Sequence, residues 1–405
     1  MKVTNGANPT AGRRSAGGRS AMARAAIVGT AALGAVIAAP AMPALADINV
    51  CITVSATGPA ASLGVPERNS VDFLPAEIGG QKVNTTVFDD ATDAALATRN
   101  ARKCVEEAKA DIIIGSSTTP TSLATATVGM ETGTPVIALA PINPPADVNA
   151  WNFRAPQHVS QMADALVAHM KANGVKTLGF IGYADAYGED WLKVMTKQLE
   201  GSGIEMAPVE RFARTDTSVT GQVLQLVSAN PDAVLVVASG TPAAMPNLAL
   251  KERGYGGAIY HTHGSASRDF IRVAGPAAEG TILPVGPVVV AAQLPDSHDS
   301  KSLAMDYAKR YEEKYGEGSL SSFGGHMFDA GQLVAAAAPV ALESGAQPGT
   351  PEFRKAMRDA LEGLDEVVGV HGVFDMTAED HFGHDSRSRV LVVVEDGNWK
   401  LLSGQ

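Results

Sequence analysis

From residue 49 onward, short apolar runs alternate with longer amphipathic stretches. Runs at 49–54, 83–88, 112–115 and 136–140 are rich in β-branched residues, as strands are. Between them, helical spacing predicts helices over 65–76, 93–108 and 122–132. A second series follows Trp151: helix 159–172, strand 177–182, helix 189–199, strand 206–212, helix 221–229, strand 233–238, helix 244–253 and strand 258–262. Such alternation builds βαβ units, so two series predict an α/β protein with two doubly wound parallel-sheet lobes. Pro141 to Pro145 and the stretch from Asn149 to Phe153 read as a crossing segment, because a Pro-rich stretch ends the first series without another helix. After Leu283-Pro-Val-Gly-Pro-Val, helical patterns resume at 302–315, 325–342 and 352–361. Residues 389–395 and 398–402, joined by Asp396-Gly397, predict a hairpin.

Residues 1–46 stand apart. Lys2, Arg13, Arg14, Arg19 and Arg24 occur with no acidic residue, an apolar run covers 25–38, and Ala44-Leu45-Ala46 supplies a small-x-small cleavage pattern before Asp47. This predicts a secretory signal peptide cleaved after Ala46. Its apolar core is short for a membrane span. Removing it shifts the net charge from −11 to −16, which argues against nucleic acid or an anionic membrane surface as a partner. The remaining length exceeds one typical core and suits two domains. Cys51 and Cys104 are the only cysteines. In an oxidising compartment they can pair, or each can serve as a small buried hydrophobe, since sequence sets no Cα separation.

Residues 111–120, DIIIGSSTTP, place a Ser/Thr cluster at the carboxyl end of a buried strand and at the start of a helix. Ligands bind at such strand ends in open α/β sheets, and hydroxyls with unpaired N–H groups suit an anion. Ser and Thr also serve simply as helix caps. The chain has no Gly-x-Ser-x-Gly elbow, HExxH helix, phosphate loop or dinucleotide glycine fingerprint. His261-x-His263 and His381-x-x-His384-Asp385 approach metal spacing but fall short of a full ligand set. A Ser/His/Asp triad is set by geometry rather than by sequence spacing and stays open on that ground, but no catalytic residue, cofactor or metal is expected.

Thr57-Gly58-Pro59, the 111–120 segment, Thr134-Pro-Val-Ile-Ala-Leu-Ala-Pro and Tyr183-Ala-Asp-Ala-Tyr-Gly-Glu together resemble the periplasmic leucine/isoleucine/valine-binding family, the substrate-binding components of ABC importers. Ala238-Ser-Gly-Thr-Pro-Ala-Ala-Met-Pro, Lys251-Glu-Arg-Gly-Tyr and Tyr260-His-Thr-His-Gly are more similar to a branch that takes aromatic acids such as benzoylformate and hydroxybenzoates. The resemblance covers the whole mature chain. It implies the type I periplasmic-binding fold, two lobes joined by three hinge crossings, with 47–154 and 288–372 in lobe 1 and 155–287 and 373–405 in lobe 2.

The resemblance also places ligand contacts. Ser116, Ser117 and Thr118 fall on the ligand carboxylate, beside the backbone of Ala138, Leu139 and Ala140. Tyr187 closes from the second lobe, although a helix-start tyrosine has an ordinary surface role too. Leu63 stands where amino-acid binders carry an aromatic wall, and Thr241 lies in a further contact loop. At His263 the amino-acid members carry an acid that pairs with the ligand's ammonium. Histidine there disfavours a buried ammonium and suits a keto, hydroxyl or carboxylate oxygen, unless it is a core histidine bonded to backbone. Asp185 or Asp216 could supply a replacement charge and keep branched-chain amino acids as an alternative. The expected function is capture of a small carboxylic acid by lobe closure and delivery to ABC permease membrane subunits, by a monomer that is not an enzyme. A receptor sensor domain and a secreted hydrolase dependent on Ser116 are the other classes.

Overall fold

The computed structural model describes residues 46–402, and the leader up to residue 45 lies outside the described residues. The first series forms β1 (Ile48–Val54), α1 (Ala61–Ser70), β2 (Glu77–Ile78), β3 (Gln81–Asp89), α2 (Ala94–Glu106), β4 (Ile112–Gly115), α3 (Thr119–Thr132), β5 (Val136–Ala138), α4 (Ala146–Asn149) and β6 (Asn152–Arg154). The second forms α5 (Val159–Ala172), β7 (Thr177–Tyr183), α6 (Ala186–Leu199), β8 (Glu205–Phe212), α7 (Thr220–Ala229), β9 (Ala233–Val237), α8 (Ala244–Glu252), β10 (Ala258–His261), α9 (Arg268–Ala274) and β11 (Ile282–Val285). The chain then runs through α10 (Lys301–Tyr315), α11 (Ser322–Glu343), α12 (Pro351–Glu362), β12 (Val367–Val368), β13 (Val373–Phe374), β14 (Val390–Glu395) and β15 (Asn398–Leu401).

Two large sheets result, ordered β2-β3-β1-β4-β5-β6 and β15-β14-β11-β10-β9-β7-β8, and β12 pairs antiparallel with β13 in a separate two-stranded ribbon. In the first, every pairing is parallel except the edge pairing of β2 with β3. The second is parallel from β8 to β11 and antiparallel through the terminal hairpin of β14 and β15. That hairpin turns as expected at Asp396 and Gly397, both at positive φ (52° and 68°). Strand alternation explains the cores. Ile48, Val50, Ile52 and Val54 of β1 pack against Met327, Leu333 and Val334 of α11 and Phe353 and Met357 of α12. Cys51 points to the opposite face, among Ala101, Cys104, Ile113 and Val128. There Cys51 and Cys104 form a disulfide, with Cα atoms 5.5 Å apart. A separate core around Trp191, Phe180, Val236 and Phe270 fills the second lobe.

One expectation is corrected. Residues 149–153 are not a crossing: α4 ends at Asn149, and Asn152 to Arg154 form β6, parallel to β5 in the register Val136 with Asn152 and Ala138 with Arg154. The polar side chains of β6 find acceptors inside. Asn152 donates its amide to the Val148 carbonyl at 2.5 Å, and Arg154 donates Nε to the Ile142 carbonyl at 3.0 Å. Strand β11 and helix α9 were not anticipated, and Pro284 disguises the former. Three crossings join the lobes: after Arg154, after Val285, and between β13 and β14. The last departs late, since Phe374 and Met376 still sit in the first lobe's core.

Candidate ligand-binding cleft

In the first sheet the chain passes from β1 to β3 on one side and then to β4 on the other, which opens a crevice at the carboxyl ends of β1 and β4. The second sheet has the same switch at β7, between β8 and β9. Between the lobes lies a cavity. From the first lobe it is lined by Leu63, Ser117, Thr118, Thr119, Leu139, Ala140 and Pro141, with Pro156 from the crossing and Phe323 and His326 from α11. Tyr187, Arg214, Ser239, His263 and Gly264 line it from the second lobe.

Seven of the ten residues read from sequence therefore come together: Leu63, Ser117, Thr118, Leu139, Ala140, Tyr187 and His263. Ser116, Ala138 and Thr241 do not line the cavity. The Ser116 hydroxyl is drawn away, donating to the carboxylate of Asp90, which also accepts from Ser55 Oγ at 2.7 Å. Ala138 lies within β5 and is fully buried. The backbone N–H of Thr241 donates to Ser62 Oγ of the opposite lobe at 3.1 Å, so this loop joins the lobes beside the cavity. Thr118 caps α3 as the helix-cap reading required, exchanging hydrogen bonds with Thr121. Its neighbour Thr119, in the first turn, has a backbone N–H with no acceptor inside the helix.

Arg214 was missed. It follows β8, at the carboxyl end of a strand, so the rule that located Ser117 could have found it. Its guanidinium lies 4.0 Å over the Tyr183 ring, donates Nε to Asp185 Oδ2 at 2.5 Å and Nη1 to Ser239 Oγ at 2.9 Å. Those bonds use two of the five N–H donors of an arginine. Asp185 is thereby neutralised, and its other oxygen caps α6 through the Tyr187 N–H at 2.9 Å. Asp216 accepts from the Ala213 N–H and lies outside the lining. Neither acid supplies the replacement charge considered from sequence. The lining holds one arginine and no carboxylate.

The remaining polar groups are neutral donors or acceptors. Burial pushes His263 down to about 4 and His326 well below its usual range, so both imidazoles are uncharged at neutral pH. His263 Nδ1 and both ring nitrogens of His326 lack a hydrogen-bond partner among the described residues. His263 is thus not a core histidine satisfied on both sides. His326 sits inside an apolar helical pattern that carries no signal of its role. Tyr187, raised by burial, keeps its proton and shares a 2.7 Å hydrogen bond with Thr262 Oγ1. The other histidines considered for metal binding are engaged otherwise. His261 bonds Ser265 and Asn247, His381 bonds Glu362 and the Asn149 and Asn152 carbonyls, and His384 bonds Ser388 and the Ala155 carbonyl.

A family model described as periplasmic binding protein matches residues 47–398, which takes in both lobes and the cleft. The chain belongs to the periplasmic binding protein family. An extracellular ligand-binding receptor from Rhodopseudomonas palustris HaA2 is 48% identical over 88% of this chain and 100% of its own, with a TM-score of 0.87. A solute-binding protein of an ABC transporter from Rhodopseudomonas palustris BisB5, solved with 3,4-dihydroxybenzoic acid, is 20% identical over 87% of this chain and 95% of its own, with a TM-score of 0.72. LivJ, the branched-chain amino acid transporter substrate-binding protein from Streptococcus pneumoniae, solved with isoleucine, is 18% identical over 88% and 99%, with a TM-score of 0.74. No curated protein matches the chain. This periplasmic binding protein thus has the type I fold, and among its described residues no helix is long and apolar enough to cross a membrane.

Proposed function

We propose that this binding protein captures a small aromatic carboxylate between its lobes and presents it, with the lobes closed, to the membrane subunits of an ABC permease. The observation that carries the reading is the charge of the lining: Arg214 faces the cavity and no acid does. A ligand ammonium would lie buried without an anionic partner, which is expensive, whereas a carboxylate finds a guanidinium, the Ser117 hydroxyl and the first-turn N–H of α3. Leu63, Leu139, Pro141, Pro156 and Phe323 supply apolar walls that suit a flat ring. The unpartnered nitrogens of His263 and His326 suit an oxo or hydroxyl oxygen on the same ligand. The BisB5 protein holds such a molecule, 3,4-dihydroxybenzoic acid. At its level of identity that likeness supports the fold alone, so the lining residues carry the case for this chain.

Thermal melting against benzoylformate, hydroxybenzoates, aliphatic acids and branched-chain amino acids tests it. An aromatic acid at about a hundred times its Kd adds about 2.7 kcal/mol of stability. A shift with leucine or isoleucine and none with any aromatic acid would overturn the proposal.

A further inference from the structure

The bonds of Ser117 decide which way its proton points. Its Oγ accepts the backbone N–H of Ser55 at 2.8 Å and is hydrogen-bonded to Glu67 Oε2. Glu67 belongs to α1, has no exposed surface, and its Oε1 has no partner among the described residues. A serine hydroxyl has one proton and two lone pairs. An ionised Glu67 can only accept, so Ser117 would donate to it and turn a lone pair toward the cavity, repelling a carboxylate. A protonated Glu67 donates instead. Ser117 then accepts from both Ser55 and Glu67, and its own proton is left for the cavity.

We propose that Glu67 is a protonated positioning residue: by donating to Ser117 Oγ it turns the Ser117 hydroxyl proton toward the bound anion, which couples anion binding to retention of a proton on Glu67. This rests on the anionic-ligand reading above. The orphaned Oε1 supports it, because a buried oxygen without a partner costs less on a neutral acid than on a carboxylate. Burial pushes the Glu67 carboxyl well up, the Ser117 hydrogen bond opposes this, and the nearby Asp90 reinforces it. Asp90 itself is held by Ser55, Ser116 and Thr92 and is also raised by burial. Helix α11, packed against α1, brings His326, which stays neutral, and Asp329, which accepts from the Val370 and His371 N–H groups and is pushed up by burial to about 8. On α10, Tyr307 bonds Ser70, one turn beyond Glu67, and Arg68 of α1 is exposed.

The test is calorimetric titration with benzoylformate, whose carboxyl stays ionised across the range, from mildly acidic to alkaline pH. The wild type should bind with constant affinity below the Glu67 pKa, then lose about tenfold per pH unit above it while taking up one proton per molecule bound. Glu67→Gln keeps a donor toward Ser117 and should bind at the low-pH affinity at every pH. Ser117→Ala should weaken binding by about tenfold at low pH and flatten the profile. A flat wild-type profile without proton uptake overturns the proposal, as does a slope that survives in Glu67→Gln, which would belong to Asp90 or Asp329. If Glu67→Gln does not melt cooperatively, proton uptake by the wild type decides. Failure of both benzoylformate and benzoate to bind at any pH would instead overturn the anionic reading beneath it.

Discussion

Replacing Arg214 by glutamine removes the one cation in the cavity lining while leaving an amide that can still reach Ser239. In water-screened surroundings, at an effective dielectric near 20, a unit charge about 4 Å from a carboxylate is worth about 4 kcal/mol. Asp185, whose Oδ2 lies 2.5 Å from Arg214 Nε, cancels part of that field, and the ion pair is largely withdrawn from water at 13% and 22% side-chain exposure. What remains is a hydrogen bond between charged groups, worth about 1.5–3 kcal/mol, so Kd for an aromatic acid should rise about tenfold to a hundredfold. The variant also strands the Asp185 carboxylate beside the cleft, which alone would repel an anion. Arg214→Gln combined with Asp185→Asn separates the two effects by isothermal titration calorimetry. If Arg214 contacts the anion, the double variant stays weak. Recovery of wild-type affinity in the double variant would show that Arg214 merely neutralises Asp185, and the reasoning would fail.

Gly240 has φ 62° and ψ −153°, a region reserved for glycine, and a Cβ there would stand 2.2 Å from Ser62 Oγ and 2.6 Å from Leu63 Cδ1 across the cleft. Gly240→Ala should therefore cost about 1–3 kcal/mol of stability and also abolish ligand-induced compaction in small-angle scattering; a closed, ligand-bound form of normal size would contradict this. Reducing the Cys51–Cys104 bridge, which spans 53 residues, should lower unfolding free energy by about 4 kcal/mol in denaturant titration, and no change would refute the loop-entropy argument. Burial holds His261 and His371 near 3 and His263 and His384 near 4, below the unfolded value of about 6.5, so the stability they contribute is complete above that pH and lost as pH falls toward the folded values. Their ring resonances should not titrate by NMR between about pH 8 and pH 5.5, and a midpoint near 6.5 for any of them would count against its burial.

Much of the lobed architecture was legible because it depends on local periodicity. Residues 159–172 have a helix's spacing wherever they are placed, and α5 has those same bounds. Strand β6 was not legible, since Asn152 and Arg154 become strand residues only when the Val148 and Ile142 carbonyls receive their side chains. The Ser/Thr cluster after β4 was located from its neighbours along the chain, yet which of its residues line the cavity was not. Ser116 and Ser117 differ in that Asp90 captures the first and Glu67 holds the second. Both partners come from other elements.

The chain's own pattern of apolar and polar residues determined the α/β class, the two successive series, the terminal hairpin and the position of one half of the cleft, because each follows from preferences acting over a turn or a strand. Tertiary structure alone decided the charge of the cavity. Arg214 and His326 are 112 positions apart, and only the return of α11 to the first lobe brings them to one surface. It likewise decided the pairing of Cys51 with Cys104 and of Asp185 with Arg214. Such contacts depend on distances set by chain crossings and core packing, which no local window of residues encodes.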